Sequence, residues 1–293
     1  MKIQKQQIQK RSKKTAIILP IALLCILFIL FIVGFVSLQP VLTKFTEYTA
    51  GQSSAGQRNQ YGLAVPVRSP YEDEAWFSDP LGLLLVVDRN TALSADYEPL
   101  DLVNLESHGV KTRHAHLQGR IVAIYDLLSM FEEAKKDSHF FYVFSSYRSY
   151  ETQKETYNYW VQQLGKAEAD RSSARPGHSE HQLGTTFDMS ATDYKGDVFD
   201  GFDKSPAGIW LAENAWKYGF VMSYPENSEA ITGYIHEPWH FRYVGRGCSK
   251  VIFELGVIPS VFIRELDVYR KSKQEEETPA HADSKLKVLG RLP

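Results

Sequence analysis

At 293 residues, with 33 Lys and Arg against 35 Asp and Glu, the chain carries a formal net charge of −2. Six of the basic residues precede Thr15, so the remainder sets 27 against 35 and is acidic, which gives no support to a nucleic-acid partner. Of the two cysteines, Cys25 lies in an apolar run and Cys248 stands alone beyond it, so no intrachain disulfide can staple the outer domain and its own core must hold it.

Residues 1–14 form a basic segment carrying Lys2, Lys5, Lys10, Arg11, Lys13 and Lys14 and no acid. No charge follows until after Pro40, and the run 15–38 exceeds the about 20 residues a helix needs to cross a bilayer. Positive charge before it and none immediately after predicts a cytoplasmic N-terminus with the rest outside. The run also exceeds the about 7–15 apolar residues of a signal peptide, and VSLQPVLTKF lacks a small-x-small cleavage site, which favours an uncleaved anchor. Residues 39–80 have few periodic apolar positions and read as a spacer on the far side of the membrane.

A folded domain is expected over 81–269. LLLVV at 83–87 has the composition of a short strand. Leu117, Ile121, Ile124, Leu128 and Phe131 recur at three- and four-residue intervals and predict a helix over 115–135, which Gly119 weakens slightly. FYVFSS reads as a buried strand, and a helix starts after Ser149 and runs toward Leu164. Residues 165–180 are polar, contain Pro176-Gly177 and predict a loop. TTFDMSA at 185–191 reads as a strand with Phe187 and Met189 on one face and Asp188 on the other. A short helix over 206–218, strands at 220–224, 233–236 and 240–244, and a terminal helix at 258–266 complete the domain. From residue 270 the chain turns highly charged and reads as a mobile tail, 270–293. Helices mixed with short strands, without regular βαβ repetition, indicate an α+β fold. A small mixed or antiparallel sheet with flanking helices is expected, preceded by one transmembrane helix.

The chemistry lies in two stretches, SEHQLGTTFD with His181 and Asp188, and HEPWH with Glu237 and His240. Two imidazoles and one carboxylate can hold a catalytic zinc ion with one position left for water, although this donor set does not exclude another divalent metal. Glu237, three residues before the last histidine, is placed to take the proton of that water. A serine protease is not assembled as economically from these segments.

These residues resemble the zinc D-alanyl-D-alanine carboxypeptidase family (peptidase M15B), which includes the vancomycin-resistance carboxypeptidases and bacterial L,D-carboxypeptidases. Its motif S-x-H-x-x-G-x-x-x-D matches Ser179, His181, Gly184 and Asp188, and E-P-W-H-x-R-Y-V-G matches Glu237 to Gly245. SSYRSYETQ at 145–153 resembles the family's S-G-Y-R-S-x-x-x-Q, with Ser146 where glycine is usual. TTFDMS stands in place of the more apolar G-x-A-x-D-I.

The resemblance implies zinc held by His181, Asp188 and His240, with Glu237 as proton carrier and Arg148 as the arginine that binds substrate and neutralises developing charge. It implies a substrate groove in which Ser179, Gln153 and Tyr147 take part. Arg242 supports either a substrate carboxylate or an ion pair behind the ligands. Peptidoglycan stem peptides ending in D-alanine are the implied substrates, met on the outer side of a bacterial plasma membrane to which the N-terminal helix ties the chain. A wall endopeptidase using the same metal centre is the alternative enzyme, and a non-catalytic wall-binding protein is the alternative of another class.

Overall fold

The computed structural model describes Asp79 and residues 81–277. The anchor, most of the spacer and the end of the tail lie outside the described residues. Among the described residues, no helix is long and apolar enough to cross a membrane.

Strands β1 (Leu102–Asn104) and β2 (Gln118–Arg120) pair antiparallel, and β2 runs directly into helix α1 (Ile121–Lys136). Strand β3 (Phe141–Ser145) and helix α2 (Tyr150–Leu164) follow. Next come α3 (Lys166–Ser172), β4 (Thr186–Ala191) and α4 (Pro206–Asn214). Then β5 (Phe220–Met222), β6 (His240–Tyr243), α5 (Arg246–Leu255) and α6 (Pro259–Glu277) complete the described chain. The main sheet has the order β3-β4-β6-β5, antiparallel throughout, in agreement with the expected α+β class.

Helix α1 starts at Ile121 because the backbone of residues 118–120 is already engaged in the β1–β2 ladder. Its apolar face, Ala123, Ile124, Leu127, Met130, Phe131 and Ala134, is fully buried. Phe131 meets Phe141 of β3, which meets Trp210 of α4, and Trp210 Nε1 donates to Asp137 beyond the end of α1. Gly119 is required for packing: a Cβ there would lie 2.7 Å from Phe187 Cε1 and 3.2 Å from Leu105 Cδ2.

The predicted helix after Ser149 is present, and the Ser149 hydroxyl caps it by accepting from Thr152 N–H. Residues 83–87, expected as a strand, form turns and irregular chain. Their polar groups are satisfied by side chains instead: Asp79 accepts from Leu83 and Leu84 N–H, and Arg242 donates to the Leu83 and Leu85 carbonyls. Residues 233–236 are not a strand either. Gly233, at φ +80°, ends the single helical turn Glu229–Thr232, after which Tyr234 N–H bonds to Thr232 and Ile235 N–H to the Arg171 carbonyl.

The expected loop at 165–180 contains α3, whose Lys, Ala and Glu residues favour helix and whose Lys166–Asp170 and Glu168–Arg171 pairs have helical spacing. The helix at 206–218 ends as α4 at Asn214 and continues as a turn of 3-10 helix, Ala215–Tyr218. Helix α5, around buried Cys248 and Ile252, has no counterpart in the sequence reading. Residues 270–277, assigned to the tail, extend α6.

Replacing Gly119 by Ala should overpack the contact with Phe187 and cost about 1–3 kcal/mol. Urea unfolding should show this as a lower midpoint with an unchanged slope.

Candidate metal centre

The β4–β6 register places Asp188 directly opposite His240. His181 arrives from the 3-10 turn Glu180–Leu183, which the Ser179 hydroxyl caps by accepting from His181 N–H. Gly184, at φ +70°, ends that turn, where a Cβ would lie 2.9 Å from Leu102 Cδ2. One ligand atom from each of His181, Asp188 and His240 falls within 4.8 Å of the others, and all three residues are buried.

Hydrogen bonds fix which nitrogen each histidine presents. His181 Nδ1 lies 2.7 Å from the Ser146 carbonyl oxygen, so Nδ1–H donates there and Nε2 faces Asp188 Oδ2 at 3.2 Å. His240 Nε2 lies 2.9 Å from Glu180 Oε2, which leaves Nδ1 at 3.2 Å from Asp188 Oδ1. A tetrahedral zinc with bonds of about 2.0–2.2 Å needs donors roughly 3.3–3.5 Å apart. The three ligand atoms, all within 4.8 Å of one another, need only a small side-chain adjustment to reach that spacing.

Electrostatics favour positive charge here, either a proton on His240 Nδ1 or an ion that replaces it. Burial opposes charge on His240, but hydrogen bonds to Asp188 and Glu180 hold its imidazole up at about 10. Burial, aided by Arg148, holds His181 down at about 4, where it is a neutral donor. Asp188 stays well below the usual carboxylate range because His181 and His240 outweigh its burial. The Glu237 carboxyl, with Oε2 3.5 Å from His240 Nδ1, is pushed by burial up to about 7. It lies beside the three donors as a group able to take and return a proton near neutrality.

A cavity of about 400 Å³ opens onto these residues. Arg148 and Ser179 line it, with aromatic walls from Phe144, Trp160, Phe199, Tyr224 and Trp239. Arg148 is half-buried with Nε unpartnered among the described residues, and it feels the charges of Asp188 and Glu237. Ser146, in place of glycine, is not at positive φ, so that departure carries no backbone strain, and its carbonyl orients His181.

Three expected substrate contacts are displaced. Arg242 is buried away from the cavity, donating to Glu180 Oε1 at 3.0 Å and to the Leu83 and Leu85 carbonyls, which is the ion-pair reading and not the substrate one. Gln153 is also buried outside it, its amide donating to the Ala174 carbonyl at 2.6 Å, and Tyr147 does not line the cavity.

The residue missed from sequence is Glu180. Buried beside the ligand turn, it joins His240 to Arg242, and the last two set its carboxyl down at about 2 against burial. Nothing in the spacing announces a contact across 60 residues. Tyr224, whose ring centroid lies 4.8 Å from that of His240, was missed for the same reason. Changing Glu180 to Gln should weaken zinc binding about 10–100-fold, read by competition with a chelator. It should also lower the melting temperature, because Arg242 is left buried without its counter-charge.

A family model described as VanY, D-alanyl-D-alanine carboxypeptidase, matches residues 116–246. The bifunctional D-Ala-D-Ala dipeptidase and D-Ala-D-Ala carboxypeptidase VanXYC of Enterococcus gallinarum is 31% identical over 176 residues, 59% of this chain and 88% of that protein. Among solved structures, the LdcB LD-carboxypeptidase aligns with a TM-score of 0.58 at 35% identity, covering 64% of this chain and 87% of that one. A D,D-pentapeptidase VanY variant in complex with Zn(II) aligns with a TM-score of 0.51 at 29% identity, covering 62% of this chain and 97% of that one. The chain spans about three fifths of the length of two further curated relatives. With the motifs in place around one donor cluster, the chain belongs to the VanY-type D-alanyl-D-alanine carboxypeptidase family.

Proposed function

We propose that this protein is a zinc carboxypeptidase that removes the C-terminal D-alanine from peptidoglycan stem peptides. The observation that carries this reading is a buried Glu237 carboxyl, its Oε2 3.5 Å from His240 Nδ1, beside three donor atoms within 4.8 Å of one another. His181 Nε2, Asp188 and His240 Nδ1 are the proposed ligands, kept in these tautomers by the Ser146 carbonyl and Glu180. Zinc, when bound, supplies Lewis-acid polarisation of the scissile carbonyl and acidifies water.

Glu237 takes the proton from the attacking water and returns it to the leaving amine of D-alanine. Arg148, which lines this cavity, binds the substrate and offsets negative charge that develops during attack. The aromatic walls of the cavity exclude water from the peptide and hold its backbone beside these groups.

The basic segment and the uncharged run 15–38 support action outside a bacterial plasma membrane, with the N-terminal helix as tether. That is the side on which stem peptides are presented. Both D,D- and L,D-cleaving relatives share the fold, so the residue preceding D-alanine is settled by assay.

Incubation of the zinc-loaded protein with defined pentapeptide and tetrapeptide stems should release one D-alanine, detected by product mass. Chelation should abolish the release and added zinc restore it. Internal cleavage would replace this reading with an endopeptidase, and intact peptides would remove it. Changing Glu237 to Ala should lower kcat by about 10²–10⁴-fold while zinc content stays at one ion per chain.

A further inference from the structure

A second cavity of about 160 Å³ adjoins the first and shares Ser173 and Tyr234 with it. Arg89, Asp170 and Arg175 complete its lining. The Arg89 guanidinium lies over the Tyr234 ring, 4.9 Å from the centroid. Its Nη2 is buried and meets no acceptor among the described residues. Arg175 Nη2 donates to the Arg89 carbonyl at 2.8 Å, which holds a second guanidinium to the same wall.

The charge of Arg89 is felt by two surrounding acids, Asp170 and Glu229, but both spend their hydrogen bonds on other groups. Asp170 accepts from the Tyr157 hydroxyl at 2.7 Å and from Lys166 Nζ at 2.5 Å, so both its oxygens are engaged. Glu229, whose charge also reaches Arg89, makes two bonds to Arg171 at 2.5 and 2.9 Å. Among the described residues, neither Arg89 nor Arg175 forms an ion pair. Room for Arg89 depends on Gly233, where a Cβ would lie 2.3 Å from Arg89 Cδ. An ordinary surface arginine needs neither a missing side chain opposite it nor a buried, unpaired nitrogen.

We propose that the Arg89–Arg175 pocket is a carboxylate subsite that binds an acidic group of the peptide substrate upstream of the scissile bond. Guanidinium groups match a carboxylate in shape and charge. The substrate's terminal carboxylate sits within one residue of the reacting carbonyl, where Arg148 is the available cation. Arg89 and Arg175 line the second cavity and not the first, beyond Ser173 and Tyr234, and so meet a group further along the peptide. In stem peptides such a group is the free α-carboxylate of a γ-linked glutamyl residue. This subsite rests on the proposed peptidase reading and names the substrate feature that the same cavity recognises.

The test compares two peptides ending in D-Ala-D-Ala, one with that α-carboxylate free and one with it as the carboxamide. Binding to zinc-loaded Glu237→Ala protein is measured by calorimetry, so no turnover is needed. The acid should bind about tenfold more tightly, about 1.4 kcal/mol, and high salt should shrink the difference. Adding Arg89→Gln should erase the preference while leaving affinity for the carboxamide within about twofold. Arg175→Gln, at an exposed side chain, carries the same test if Arg89→Gln does not fold. Equal affinity for both peptides, a preference that survives both substitutions, or no measurable binding of either overturns the subsite. Hydrolysis by the unmutated protein is followed in parallel. Acid preference without hydrolysis counts against the peptidase reading alone.

Discussion

Asp188 and His240 face one another across the β4–β6 ladder, and the site is built outward from that pair. Directly opposed side chains of an antiparallel ladder lie on one face with Cβ atoms about 4.5–5.5 Å apart. A carboxylate and an imidazole held so can share a cation without either strand bending. A slip of one residue would turn both side chains to the other face. Phe187 and Phe241, the neighbouring pair in register, are almost fully buried on that other face and oppose the slip. The contacts that close the core therefore also set the geometry of the donors.

Placing so many charged groups out of water is costly unless each finds a partner. Glu180 supplies the solution behind the ligands: one oxygen orients His240, the other meets Arg242. Arg242 in turn donates to two carbonyls of the 83–85 segment, so the ion pair that orients a ligand also pins the start of the described domain to the sheet. Loss of Glu180 then reaches the metal through His240 and the fold through Arg242. This coupling separates it from Glu237, whose carboxyl opens onto the cavity.

The donors were legible in the sequence because their spacing follows local rules. Asp188 lies in a strand with two-residue alternation, Ser149 starts a helix with a side-chain cap, and Glu237 and His240 share a short segment. What was not legible depends on contacts distant in sequence. LLLVV has strand composition, yet Asp79 and Arg242 satisfy its backbone first. Leu117 fits a helical period, but the β1–β2 ladder claims the residues after it. Gln153, carried over from a motif, turns inward to the Ala174 carbonyl, and no periodicity reports which way a half-exposed helix directs one amide.

The same distinction divides chemistry from recognition in this fold. The donors stand on a ladder and a capped turn, where a shift of one residue is heavily penalised. The cavity walls come largely from connections, residues 173–174 and 234–237 among them, held by backbone bonds such as Ile235 N–H to Arg171 O and Glu237 N–H to Tyr224 O. Side chains on such connections can change without disturbing the metal donors. Relatives named as a D,D-dipeptidase and as an LD-carboxypeptidase share this fold, which leaves recognition to side chains on its connections.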